Sequence, residues 1–349
     1  MVARVVIITG GSSGIGRCTA VLFARRGWRV GLIARGAEGL AASCEDVGAF
    51  GARAAAAQAD VADSAALREA ANAIIARLGP VDVWINCAGN GVYGRFVDVP
   101  EAEFQRVTDV SYHGTVNGTR VALAHMRARG KGSIINVCSA MAFHGMPLMS
   151  SYAGAKAAVR AFGQAIRAEL RLERSPIRVG TVFPPAVNTP YFSHASSHMG
   201  WPARPAGLVY QPEVVAQGIW QAVVSGRREM TISGTAAAFS LATRLTPNLI
   251  AWCMVRIGID GQLTRDPDAV RLQEPTLFLP SRRVFDVHGP FGRGARRRSL
   301  HLWLERRLTS AKQLLSFRRQ PPNAPSPTTH ASPGPGRERA GLGVRSGRS

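Results

Sequence analysis

Short apolar runs recur through the first two thirds of the chain. Arg4–Thr9 (RVVIIT), Arg29–Ile33 (RVGLI), Val81–Ile85 (VDVWI), Ser133–Val137 (SIINV) and Ile177–Phe183 (IRVGTVF) are brief and rich in Val and Ile. Runs of that length and composition predict buried strands. Between them lie alanine-rich segments with charges on one side, such as Ser64–Leu78 and Glu101–Arg129, which predict helices. A helix at about Pro212–Val224 and a last strand at Glu229–Ser233 close the series. Strands buried on both faces and alternating with helices predict an α/β fold, a doubly wound parallel sheet in one domain with a C-terminal extension.

The rhythm stops after Ser233. Ala236–Ile257 is mostly apolar, but Arg244, Pro247 and Asn248 interrupt it. It lacks the roughly 18–20 uncharged residues of a spanning helix. The favoured reading is a helix packed on its own domain. An interfacial helix or a helix for a partner subunit are the alternatives. Gln320–Ser349 is Pro/Gly/Ser-rich and predicts disorder. The expected division is a dinucleotide-binding catalytic domain at 1–235, a helical or irregular extension at 236–319 and a basic tail at 320–349.

Charge sharpens the view of the extension. The 349 residues carry a formal net charge of +21, and 15 of the 43 basic residues but only 3 of the 22 acidic ones lie from Ser281 onward. Such a segment reads as a solvated tail, or as a contact for an anionic partner. A peripheral membrane contact is favoured over nucleic acid. The five cysteines are odd in number and form no CxxC pair, so neither a disulfide framework nor a metal site is read. Free thiols and a first strand that starts almost at once, with no signal peptide ahead of it, predict a cytoplasmic protein.

The first strand runs into Thr9-Gly10-Gly11-Ser12-Ser13-Gly14-Ile15-Gly16. A glycine turn between strand and helix lets the backbone approach a pyrophosphate, and the helix N-terminus offers free N–H groups. Thr9, Gly10, Ser12, Ser13, Gly14, Ile15 and Gly16 are therefore candidate cofactor residues. Where an acidic residue would favour NAD(H), the second strand ends in Ala34-Arg35. An arginine grips a 2′-phosphate with a planar charged fork, which favours NADP(H) over NAD(H). Asp60-Val61 is placed near the adenine, and Asn86-Cys87-Ala88-Gly89 closes the fourth strand where the crevice should open.

Tyr152 and Lys156 stand four apart at the start of an alanine-rich helix and share one face. A free tyrosine titrates near pH 10, and a nearby ammonium lowers that value. One such tyrosine serves as proton donor in reduction and as acceptor in oxidation. Ser139 ends the preceding strand, where its hydroxyl would orient a substrate oxygen.

With these motifs the chain resembles the short-chain dehydrogenase/reductase family over roughly Val2–Ser233. The matching stretches are Thr9–Gly16, Asp60-Val61, Asn86–Gly89, Ser139, Tyr152–Lys156 and Pro184–Thr189. The resemblance implies a Rossmann-type sheet without metal, acting on a carbonyl/alcohol pair. It implies Tyr152 as acid/base, Lys156 lowering the pKa of Tyr152 and holding the nicotinamide ribose, and Ser139 holding the substrate oxygen. Pro184, Val187 and Thr189 would lie at the nicotinamide, and subunits would pair as a homodimer or homotetramer. The segment Asp286–Phe291 (DVHGPF) resembles longer members whose substrates are mostly unassigned.

Two positions depart from the family. Ser111 stands where an asparagine is usual in the proton relay, unless Asn117 supplies that group, and Pro184-Pro185 replaces a Pro-Gly pair. The loop at about Pro190–Gln211, with Tyr191, Phe192, Met199, Trp201, Leu208, Val209 and Tyr210, would cover a bulky hydrophobic substrate or else pack on the domain. His113 and His144 are weaker candidates for the same site. The rival reading is a cofactor-binding sensor or scaffold with little catalysis, tethered by its basic tail to a membrane or nucleic acid.

Overall fold

Eleven strands organise the computed structural model, which describes residues 3–307. They are β1 (Val5–Thr9), β2 (Arg29–Ala34), β3 (Ala54–Gln58), β4 (Val83–Asn86), β5 (Val92–Tyr93) and β6 (Ser133–Val137), then β7 (Arg178–Phe183), β8 (Ala186–Val187), β9 (Ser196–Ser197), β10 (Val209–Tyr210) and β11 (Glu229–Thr231). Seven of them form one sheet in the order β11-β7-β6-β4-β1-β2-β3. Every pairing in it is parallel. This is the predicted Rossmann-type sheet. Its order reverses between β1 and β4, and the crevice that binds ligands in such sheets opens at that reversal. The two short parallel pairs, β5–β9 and β8–β10, lie outside it.

The helices are α1 (Gly14–Ala24), α2 (Ala37–Gly48), α3 (Ser64–Leu78), α4 (Glu101–Thr108), α5 (Gly114–Arg127), α6 (Ser150–Leu172), α7 (Tyr191–His194), α8 (Pro212–Ser225), α9 (Gly234–Leu245), α10 (Pro247–Ile257) and α11 (Pro267–Arg271). Helices α1, α2 and α8 bury Phe23, Leu40 and Ile219 on one face of the sheet. Helices α3 and α5 bury Leu67, Ile74 and Met126 on the other. The strands' unbroken apolar runs follow from this double cover.

Two stretches differ from the sequence reading. The single helix expected over Glu101–Arg129 is interrupted by a π-helical turn at Asp109–His113. Gly114 leaves that turn pressed against β3's exit, where a Cβ would lie 2.5 Å from Val61 Cγ2. An extra residue in the turn accommodates this close approach. The apolar Ala236–Ile257 run is two helices, because Pro247 cannot continue α9 but suits the first turn of α10. Residues 300–307 are helical again. The tail expected at 320–349 lies outside the described residues.

Buried polar groups fasten the sheet to α5. Trp84 Nε1 donates to Asn86 Oδ1 at 2.7 Å, while Asn86 Nδ2 donates to Asn136 Oδ1 at 2.9 Å and Thr119 Oγ1 at 3.1 Å. Gly118 passes so close that a Cβ would lie 2.0 Å from Asn86 Oδ1. Gly118→Ala should therefore lower stability by about 1–3 kcal/mol through overpacking. Gly154→Ala, on an open face of α6 with no neighbour near the added Cβ, should raise it by about 0.5–1 kcal/mol through helix propensity. Urea-unfolding midpoints of the two variants check the opposite signs.

Candidate functional site

The ends of β1 and β4 are pinned by Thr9, whose buried Oγ1 accepts from Cys87 N at 3.1 Å and donates to Ile85 O at 3.5 Å. Gly10 then turns at φ +66°, and a Cβ there would meet Ala88 Cα at 2.7 Å. The loop can lie this close to β4 only with glycine. Helix α1 begins at Gly14 with no acidic residue in its first turn. The first-turn N–H groups of Ile15 and Gly16 lack intrahelical acceptors by helix geometry, so they face the crevice as an anion site.

A cavity of about 740 Å³ opens there, lined by Gly10, Ser12, Ser13, Gly14, Ile15, Gly16, Arg35, Asp60, Val61, Ala88, Gly89, Ser139, Tyr152, Lys156, Pro184, Val187 and Thr189. The site residues expected from sequence thus converge on one space. Three lie behind its wall: Thr9 and Asn86, which hold strand ends together, and Ser111. Ser111 is fully buried in the π-helical turn, and its Oγ reaches Asn90 O at 3.5 Å. Asn117 is turned away, donating to Val61 O at 3.0 Å and Ala62 O at 3.3 Å. His113 pairs with Asp109 at 3.0 Å on the surface, and His144 binds Gly145 O at 2.6 Å. Neither histidine lines the cavity.

Ser139 caps the short turn after β6, its Oγ accepting from Met141 N at 3.1 Å, and lies beside Tyr152. Leu148 bends the chain into α6 at φ +69°, uncommon for a branched residue. Tyr152 and Lys156 follow in the first turns of α6. The Lys156 ammonium lies 5.6 Å from the Tyr152 ring centre and gives one N–H to Val137 O at 3.1 Å. Two further donors are left for groups entering the cavity. Burial holds the Lys156 pKa below its ordinary value. Burial also pushes the Tyr152 phenol up, against the pull of the Ser139 hydroxyl. The lysine was expected to lower the phenol; here burial is the largest effect and raises it, so Tyr152 stands protonated at neutral pH.

The other end of the cavity was not foreseen. A strap from the C-terminal third crosses it. Arg35 gives Nη1 to Phe278 O at 2.9 Å and Leu277 O at 3.2 Å, and Nη2 to Thr276 O. Arg106 binds Leu277 O at 3.0 Å and pairs with Asp60. Gly14 N donates to Asp286 O at 2.9 Å, Arg17 Nη1 to Phe285 O at 2.9 Å and Phe291 N to Asn188 Oδ1 at 2.9 Å. The carboxylate of Glu274 folds the strap by accepting from Ser281 Oγ, Arg282 N and Val284 N. The only sequence signal for this was the DVHGPF segment, which carries Asp286 and Phe291.

Apolar side chains close the remaining wall: Tyr93, Met149, Tyr191, Phe192, Phe239 and Met254. Of the expected covering loop, Tyr191, Phe192 and Leu208 line the cavity, Tyr210 packs in the core, and Trp201 is exposed. Among these, the amide of Asn90 and the hydroxyl of Tyr191 are buried without hydrogen-bond partners. The set fits a nicotinamide dinucleotide: N–H groups for a pyrophosphate, lysine donors for a ribose and a phenol–serine pair beside them. Among the described residues no cluster of metal-ligating side chains occurs.

The family model for short chain dehydrogenase matches residues 4–200. The uncharacterized oxidoreductase YxnA of Bacillus subtilis (strain 168) is 34% identical over 277 residues, 79% of this chain and 78% of its own length. A variant actinorhodin polyketide ketoreductase solved with NADPH is 30% identical with a TM-score of 0.53, covering 55% of this chain and 73% of that one. A short chain dehydrogenase from Mycobacterium paratuberculosis bound to NAD is 26% identical with a TM-score of 0.59, covering 65% and 95%.

The buried acids around the cavity set the alkaline limit of the fold. Burial pushes the Cys87 thiol up to about 12 and Cys138 to about 11, and raises the phenols of Tyr93, Tyr152 and Tyr191. The folded state thus keeps protons that the unfolded chain loses near pH 8.5 for thiols and 10 for phenols. Their contribution to stability is complete below those values and is lost as pH rises beyond them. Urea midpoints under reducing conditions should hold between pH 7 and 8 and fall steadily above about pH 9. A midpoint unchanged to pH 11 would contradict this.

Proposed function

This chain belongs to the short-chain dehydrogenase family, and on that premise we propose that it moves a hydride between NADP(H) and a hydrophobic carbonyl/secondary-alcohol pair. The observation that carries this reading is the convergence of Ser139, Tyr152 and Lys156 on the cavity that the glycine loop opens. When bound, the dinucleotide supplies or accepts the hydride. The protein's own residues do the rest.

Tyr152 keeps its proton at neutral pH and delivers it to the carbonyl oxygen as negative charge develops there. Ser139 holds that oxygen in line with the phenol. Lys156 spends its two remaining donors on ribose hydroxyls and stabilises the phenolate left after transfer. Lys156 then passes a proton to that phenolate and regains one from water, and Ser111, behind the cavity wall with the Asn90 carbonyl beside it, would hold that water. In oxidation each proton moves the other way.

NADP(H) is preferred because β2 ends in Ala34-Arg35 with no carboxylate to pair with ribose hydroxyls. Solved relatives carry NADPH in one case and NAD in another, so the preference rests on Arg35. The apolar wall of Met149, Phe192, Phe239 and Met254 suits a bulky hydrophobic substrate. The reading includes a homodimer or homotetramer through the long helices, and a peripheral membrane contact of the extension. A sensor without turnover would leave the Tyr152–Lys156 pair in the cavity without a task.

Tyr152→Phe should bind NADPH as the parent does, by tryptophan fluorescence, and lose about 10²–10⁴-fold in turnover. Retained turnover would remove Tyr152 from its role. Arg35→Ala should weaken NADPH by about ten- to a hundredfold, the scale of a lost charge-assisted hydrogen bond, and NADH much less. Equal losses for both cofactors in a titration would make Arg35 an anchor of the strap alone.

A further inference from the structure

The helical pair α9–α10 is apolar on the side that faces water. From Gly234 to Ile257 there is no acidic residue, and the charges are Arg244 and Arg256. Leu241 is 57% exposed, Leu245 71%, Leu249 55%, Trp252 55% and Val255 75%. Spacings of three and four place them in stripes along their helices. The Arg256 guanidinium lies 4.8 Å from the Trp252 ring centre. The same pair sends Phe239 and Met254 into the cavity wall. Leu208 also lines the cavity and is 46% exposed. Trp201 is exposed too, with the Arg265 guanidinium 4.8 Å from its ring.

We propose that α9–α10 docks the mouth of the cavity onto an anionic membrane surface, and that the substrate is a ketone or alcohol dissolved in that membrane. A contiguous exposed patch of leucine, valine and tryptophan marks a contact site. Its chemistry selects the partner. Tryptophan and leucine beside arginine are the residues of helices that lie in a bilayer interface. No helix among the described residues is long and apolar enough to cross a membrane, so the pair lies on the surface. Self-association about a two-fold axis would set this face against its own copy, which offers Arg244 and Arg256 no acidic residue within the pair. Anionic headgroups meet them instead. Phe239, Met254 and Leu208 then lead from the bilayer to Tyr152 without a passage through water. The substrate class rests on the oxidoreductase reading; the docking does not.

The full chain is tested by co-sedimentation with phosphatidylcholine vesicles, with and without phosphatidylglycerol. The comparison variant is Leu245→Glu with Trp252→Glu, two exposed positions outside the cavity. The parent should bind the anionic vesicles. It should stay bound in salt of about 1 M, where the screening length falls to about 3 Å and a basic tail no longer holds. The double variant should bind at least about tenfold less under that salt. Its kcat/KM should fall for a ketone carried in the vesicles and stay unchanged for a water-soluble one. Equal vesicle binding by parent and variant overturns the proposal. So does a variant that turns a dimer into a monomer in sedimentation velocity while its vesicle binding is unchanged, which makes the face a contact between copies. A parent that reduces neither ketone overturns the oxidoreductase reading alone, and the vesicle measurement still decides the docking.

Discussion

The ammonium of Lys156 is the group around which the site is arranged. It is buried, it has no carboxylate partner among the described residues, and the Val137 carbonyl takes one of its donors. A buried charge so poorly paired is costly. Its position depends on α6 starting where Leu148 turns the chain, and on β6 delivering Val137 and Ser139 to the same level. Those two elements meet because the parallel sheet brings the carboxyl ends of β1, β4, β6 and β7 to one edge. A ligand that offers hydroxyls there lowers the energy of a group the fold leaves underserved. The Tyr152 beside it keeps its proton because burial raises its pKa.

Much of this was legible from residues alone. The apolar runs predicted the sheet because a strand covered on both faces needs an unbroken run. The glycine loop was legible because φ and close backbone approach are written into residue type. That Ser139, Tyr152 and Lys156 would share one cavity was legible from their spacing. Other features left no such trace. The π-helical turn at Asp109–His113 arises from how Gly114 sits against Val61, a contact between distant segments. Asn86 was expected at the cofactor but serves Trp84, Thr119 and Asn136, which depends on where α5 lies. The strap is held mainly through its carbonyls, which every residue possesses, so no side-chain pattern announces it.

Arg35 stands between an expectation and an observation. At the end of β2 it stands where a 2′-phosphate reader would stand. The same guanidinium gathers three successive carbonyls from a segment some 240 positions later in sequence. Asp60 and Arg106 are joined in the same way, since Arg106 bonds both Asp60 and the strap. The Arg35 end of the cavity is therefore built by side chains of the sheet and a backbone from the far end of the chain. Ser139, Tyr152 and Lys156 line the same cavity.

That construction has a thermodynamic corollary. The stretch that matches the family ends at residue 200, and the strap lies wholly beyond it. Whatever ligand the crevice holds is then linked to the folding of the C-terminal third. By reciprocity, a ligand touching both sheet and strap draws free energy from ordering the strap and returns the same amount to the strap's stability. Local unfolding near Glu274 or Asp286 would raise the ligand's dissociation constant while the sheet stays intact. Affinity at the crevice thereby becomes a gauge of order in a region that contributes no strand to the central sheet after β11.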